Sequence, residues 1–66
     1  MEFKLMFAGQ FGSTTVYNIV VDDLNIGTVA VSASKDVSFT SSFTLGIPLE
    51  IAVARRAVAN SDNEPT

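Results

Sequence analysis

One short acidic segment holds the first side chains that could do chemistry. Asp22 and Asp23 are adjacent, and Asn25 follows two residues later. Ca²⁺ prefers about six to eight oxygen ligands, more than these three side chains supply. Asp and Asn also form hydrogen-bonded Asx turns, which is the simpler interpretation. Glu50 would complete a carboxylate pair only if its strand passed this turn. We therefore predict no metal site and no acid/base pair.

Histidine and cysteine are both absent from the sequence. Histidine is the most frequent general base in enzymes, and the cysteine thiolate is a common nucleophile. Standard structural and catalytic zinc sites also depend on these two residue types. The sequence therefore predicts a protein that is not an enzyme, with no catalytic residue and no cofactor.

Two further motifs offer backbone or cationic groups. Residues 9–14 contain Gly9 and Gly12, whose backbone N–H groups could face an anion, but no lysine follows and no helix is expected behind them. We interpret this segment as a connection between strands. Arg55 and Arg56 form the only basic pair. A solvated or ion-paired arrangement is one interpretation, and contact with carboxylates of an acidic partner is the other.

The charge balance argues against nucleic acid as a partner. Four basic and seven acidic residues give a net charge of -3, and charged residues make up 17% of the chain. Nucleic-acid binding needs clustered Lys and Arg to neutralise phosphates. The N-terminal residues have neither a basic region nor an apolar stretch of signal-peptide type, and no apolar run has the length of a membrane span. We expect a soluble protein made in the cytoplasm, with no membrane partner and with a virion as one candidate location.

Apolar residues alternate with polar ones through most of the chain, usually at odd numbers, which is typical of half-buried strands. The sequence predicts a turn at 9–13 with Phe11 folded back as a lid, and a polar four-residue turn at 22–25. Pro48 interrupts the pattern because it lacks an N–H group. The predicted strands span residues 2–8, 15–21, 28–33, 37–45 and 49–54.

These elements predict an all-β fold, a five-stranded antiparallel barrel or a compact β-sandwich with meander connections. Leu49, Ile51 and Val53 alternate with polar or small residues, which favours a last strand, whereas residues 52–59 are good helix formers. A short helical turn at the C-terminal end stays an alternative. We expect residues 1–59 to form one β domain and residues 60–66 to form a disordered acidic tail.

The second face of the predicted strands is also apolar or small. Such residues can be ordinary surface, since more than half of any protein surface is apolar. They can also form a patch that another subunit covers, and the poorly protected edge strands favour the same interpretation. The predicted interface consists of Met6, Val16, Val20, Ala30, Ala52 and Ala54.

The leading functional hypothesis is a structural or assembly module that self-associates, of the kind found in virion or filament components. The alternative is a small inhibitor or accessory protein, of the viral or anti-defence type, that covers one larger protein. In that case Asp22 and Asp23 would add electrostatic complementarity to a basic partner site, with Arg55 and Arg56 as further contacts.

Overall fold

The computed structural model describes residues 2–41 and 45–63. Four antiparallel strands form one open sheet with the order β1-β2-β3-β4, and a C-terminal helix packs on one side of it. The predicted meander and the mostly β character are therefore confirmed. The five-stranded barrel and the compact β-sandwich are both wrong, because the described strands form one open sheet of four. The elements are β1 (Lys4–Phe11), β2 (Thr14–Val21), β3 (Leu24–Val31), β4 (Val37–Ser41) and α1 (Ile47–Ser61).

Two tight hairpin turns join the first three strands. Gly12 has a φ of 63° at the first position of the β1–β2 turn, which suits a type II′ turn. Asp22 and Asp23 have φ values of 51° and 64°, and positive φ at both central residues is typical of a type I′ turn. The acidic turn therefore has two residues instead of the predicted four, and β3 begins at Leu24.

A β-bulge reverses the side-chain pattern within β1. Phe7 pairs with Tyr17 and Gly9 pairs with Val16, so the register shifts at Ala8. Residues beyond a bulge point to the opposite face from the one that simple alternation predicts. Phe11 therefore extends β1 on the outer face of the sheet, and the prediction that it folds back as a lid is wrong.

The core lies between the sheet and α1. Tyr17 and Ile19 of β2 and Val29 and Val31 of β3 are almost fully buried, and Val53 of α1 packs against them. Their odd numbering in the strands confirms the predicted inner face. Burial of apolar side chains is the main stabilising contribution, at about 1.5–3 kcal/mol for each large residue. We call this side of the sheet the inner face.

The predicted fifth strand at residues 49–54 is wrong, because this segment is the first half of α1. Pro48 lies in the first turn of α1, where the missing N–H group breaks no helical hydrogen bond. Val53 and Ala57 are fully buried, and Leu49 is partly buried in the same cluster. Leu49, Val53 and Ala57 are four residues apart, which places them on one face of a helix. Since four is also a multiple of two, the same spacing fits the alternation of a strand.

Two long cationic side chains attach α1 to the sheet. Lys35, in the β3–β4 loop, donates a hydrogen bond to Ser61 at 3.0 Å and forms an ion pair with Asp62 at 2.8 Å. A cation here also interacts favourably with the negative end of the helix dipole. Arg56 lies 4.2 Å from the centre of the Phe3 ring, and its Nη1 donates to the Phe3 carbonyl at 3.1 Å.

The ends of two predictions fall partly beyond the described residues. The predicted fourth strand ran to Leu45, whereas β4 ends at Ser41, and residues 42–44 lie outside the described part. Leu45 itself is buried in the core. α1 continues through Ser61, which is inside the predicted tail, and residues 64–66 of that tail are likewise outside.

Candidate interaction surface

The face of the sheet opposite α1 is open, and the strand register determines which residues lie on it. Val16 pairs with Gly9 on one side and with Ala30 on the other. Because side chains at directly paired positions point to the same face, one row crosses three strands. We call this surface the outer face. It consists of Lys4, Met6, Gly9, Phe11, Thr14, Val16, Asn18, Val20, Asn25, Thr28, Ala30, Ser38 and Thr40.

The outer face carries apolar side chains that no described element covers. Phe11 is 71% exposed and Met6 is 53% exposed, while Val16, Val20 and Ala30 are half-buried. Lys4 is the one charged residue among the strand positions of this face, and it lies near the start of β1. Polar Asn18 and Thr28 lie among these side chains. Exposed apolar residues within a polar surround are typical of a protein interaction site.

Phe11 belongs to this surface because it follows the β-bulge, and its ring lies beside Gly9. Both residues follow the bulge, and a Cβ atom at Gly9 would lie 3.5 Å from the Phe11 ring. The aromatic ring therefore lies beside bare backbone of the same strand. Alternation counted from the start of β1 places the odd-numbered Phe11 on the inner face. The bulge at Ala8 shifts the alternation by one residue, so Phe11 lies on the outer face instead.

Two of the six predicted interface residues lie elsewhere. Ala52 and Ala54 are residues of α1, which packs on the inner face through Val53 and Ala57. Met6, Val16, Val20 and Ala30 all lie on the outer face, as the register shows. The predicted grouping with Ala52 and Ala54 is wrong, because it assumed a strand where the chain forms a helix.

The acidic turn adjoins one end of the outer face. Asp22, Asp23 and Glu2 line a shallow depression of about 170 Å³ together with Val20, Phe3 and the basic residue Lys4. In the described residues, no group of three or more Asp, Glu, His or Cys side chains is arranged to hold a metal ion.

Asn25 shows the hydrogen bonding that the sequence predicted for this region. Its Oδ1 accepts a hydrogen bond from the backbone N–H of Gly27 at 3.0 Å. This contact between residues two apart is the Asx-turn pattern. The Asn25 side chain is therefore occupied in shaping the start of β3.

The two arginines have different environments. Arg56 is exposed, but its guanidinium stacks on Phe3 of the same chain and donates to the Phe3 carbonyl. Arg55 is exposed, and it lines a shallow depression with Ala54, Val58 and Asp62. A guanidinium that already has a hydrogen-bond acceptor and an aromatic ring is less available to a partner. Arg55 is therefore the better candidate for an external contact.

Several exposed apolar residues were not predicted as surface. Phe7 faces the inner side of β1 at a ring-centre distance of 6.3 Å from Tyr17, and it is 55% exposed because α1 packs mainly against β3. Ile47 and Ile51 are 73% and 47% exposed on α1. Ile47 and Ile51 are four residues apart, so a helical interpretation of this segment would have placed them on one face of the helix.

No helix in the described portion has both the length and the apolar character that crossing a membrane requires. Comparison of this chain with protein-family models, with curated proteins and with solved structures finds no match.

Proposed function

We propose that this protein is a non-enzymatic structural module that self-associates through its outer face, as a component of a filament or virion would. The observation that carries the proposal is the uncovered apolar row on this face, from Phe11 and Met6 of β1 to Val16 of β2 and Ala30 of β3. α1 covers only the opposite side of the sheet. A second copy is the simplest partner that would bury this row.

The composition of the outer face suits packing against another sheet. Gly9, Ala30 and the Thr and Ser side chains of β3 and β4 are small, so two sheets can approach closely. Lys4 lies near the margin, where its charge can stay in water. A two-fold contact uses every such residue twice, because the same face is present on both subunits.

The available free energy supports an association that depends on concentration. Full burial of a large apolar side chain contributes about 1.5–3 kcal/mol, and Phe11 and Met6 each have more than half of their surface to bury. Loss of translational and rotational freedom costs about 4–15 kcal/mol for each association. One outer-face contact is therefore modest in strength, and a stable assembly would gain from further contacts.

A second candidate function is a small protein that covers the surface of one larger partner. The observation that favours it is the position of Asp22, Asp23 and Glu2 beside Val20, at the end of the apolar row. An apolar surface with an acidic margin would complement a partner whose apolar site has a basic margin. Such complementarity mainly accelerates association and excludes wrong partners.

The experiment measures solution mass by light scattering over a hundredfold range of concentration, at low and high salt. We expect the wild type to form a multimer and a Val16→Lys, Val20→Lys double variant to have a smaller mass, because two buried ammonium groups would lack partners. Ala52→Lys is the matched control, since Ala52 is exposed on α1 away from this face. Far-ultraviolet circular dichroism checks that each variant is folded.

Two outcomes would contradict self-association through the outer face. One is a wild-type monomer at every concentration and salt condition, which would favour the second candidate function. The other is an unchanged multimer mass in the double variant, which would move the contact to another surface. High salt should leave an apolar contact intact, because screening acts on charges.

A further inference from the structure

α1 carries a second apolar stripe, and of its four residues only Val58 also packs against the core. Ile47, Ile51, Ala54 and Val58 are separated by four, three and four residues, which is the a/d spacing of a coiled-coil seam. At 100° per residue this stripe lies about a third of a turn from the buried line through Val53. Ile47 is 73% exposed and Ile51 is 47% exposed. The first half of the stripe is therefore open to solvent, whereas Ala54 and Val58 are half-buried.

Two opposite charges lie on either side of this stripe. With Ile51 and Val58 at a positions, Glu50 occupies a g position and Arg55 occupies an e position. Within the described residues, the ion pairs and hydrogen bonds of the domain do not include either of these side chains. Both charged groups are therefore available to a neighbouring molecule.

Glu50 and Arg55 are five positions apart, which is the separation that brings opposite charges together between two parallel helices. In a parallel pair, the g side of one helix adjoins the e side of the other, and g residues contact e residues five positions further along. Glu50 of each copy would then face Arg55 of the other copy, which forms two ion pairs. In an antiparallel pair g adjoins g, and this complementarity is lost.

We infer that α1 is a second contact surface, which pairs in parallel with α1 of another copy through Ile47, Ile51, Ala54 and Val58. The inference rests on the proposed self-association, but it uses no outer-face residue. Two different two-fold contacts on one subunit extend an assembly into a chain of copies unless their axes close a ring. This arrangement supplies the further contact that the modest outer face needs.

A cysteine cross-link tests the parallel orientation directly, since the natural chain has no cysteine. In a parallel pair each d residue faces its own copy, so Ala54→Cys brings two thiols together, as a disulfide requires. The substitution is made in the full chain that also carries Val16→Lys and Val20→Lys, so that an outer-face contact does not contribute. Ala59→Cys is the matched control, because Ala59 is an exposed alanine of α1 outside the stripe.

We expect mild oxidation to yield a covalent dimer with Ala54→Cys and none above background with Ala59→Cys. Equal cross-linking at both positions, or none at Ala54→Cys, would overturn the inference. Neither result would affect the outer-face proposal, which depends on the mass change caused by Val16→Lys and Val20→Lys in the cysteine-free chain. The two proposals therefore fail separately.

Charge reversal provides a second measurement that does not depend on oxidation. Glu50→Arg should weaken the pairing about tenfold, because two exposed ion pairs become repulsive contacts. Adding Arg55→Glu to the same chain should restore it, since the exchanged charges again oppose each other across the seam. If the chain with both Glu50→Arg and Arg55→Glu does not dimerise, although its circular dichroism is unchanged, the parallel arrangement is contradicted.

Discussion

Gly27 determines how closely β4 approaches β3, and its replacement by alanine tests the described sheet. Gly27 pairs with Ser41 and has a φ of 154°, which L residues rarely adopt. A Cβ atom at this position would lie 2.5 Å from the Thr40 carbonyl oxygen and 2.8 Å from the Ser41 Cα. Both are backbone atoms, so a side-chain rotation cannot relieve the overlap.

The expected cost follows from two separate effects. Overpacking costs about 1–3 kcal/mol, and a non-glycine residue in a sparsely populated backbone region costs about 1–3 kcal/mol. The sum for Gly27→Ala is about 2–6 kcal/mol. A chain of this length has a free energy of unfolding of about 3–10 kcal/mol. The substitution therefore removes a large part of the stability, and displacement of β4 at Ser41 is the structural consequence.

Gly12→Ala is the matched control. Gly12 also has a positive φ, at 63°, but a Cβ atom there would have no atom within 4 Å. Only the backbone penalty applies, about 1–2 kcal/mol. The difference between the two alanine variants therefore measures the close approach of β4 together with the difference between the two backbone penalties.

Urea unfolding followed by far-ultraviolet circular dichroism gives both free energies. With a denaturant slope of about 1 kcal/mol/M for a small domain, Gly27→Ala should lower the midpoint by about 2 M or more, and Gly12→Ala by about 1–2 M. Equal midpoints for the two variants would refute the close packing of β4 against Gly27. Measurements at one low protein concentration keep self-association from changing the comparison.

Two other predictions concern contacts that the structure revealed. Arg56→Lys should lower the free energy of unfolding by about 1 kcal/mol, because lysine cannot both stack on the Phe3 ring and hydrogen-bond the Phe3 carbonyl in the same planar geometry. Arg55→Lys is the control and should have little effect. Equal effects of the two substitutions would contradict a stabilising contact between Arg56 and Phe3. Asp23→Gly should raise the free energy of unfolding by about 0.5–1 kcal/mol, and with it the urea midpoint. Glycine readily adopts the positive φ that the type I′ turn requires next to Asp22. A lower midpoint would show that the Asp23 side chain stabilises the turn.

The strand pattern in the middle of the chain could be predicted because it depends on neighbouring residues alone. Alternation through β2 and β3 identified Tyr17, Ile19, Val29 and Val31 as the inner face, and all four are buried. A two-residue period is visible in the sequence without knowledge of what covers the face. The same pattern identified Val16 as an outer-face residue.

Alternation failed where its period or its phase was ambiguous. Leu49, Ile51 and Val53 fit a strand over five residues, but Leu49, Val53 and Ala57 fit a helix over nine, and the helix buries more of the core. Pro48 was interpreted as an interruption, although the first turn of a helix accepts proline readily. A short window cannot distinguish these periods, and packing against the sheet decides between them.

The sequence by itself determined a small, weakly charged, mostly β chain with two apolar strand faces and no histidine or cysteine chemistry. Only the tertiary structure decided which face α1 covers, and therefore which residues stay open. It also moved Phe11 to the outer face through the bulge at Ala8, and it removed Ala52 and Ala54 from that face. The physical reason is that composition and periodicity are local, whereas the cover of a face depends on contacts between segments distant in the chain.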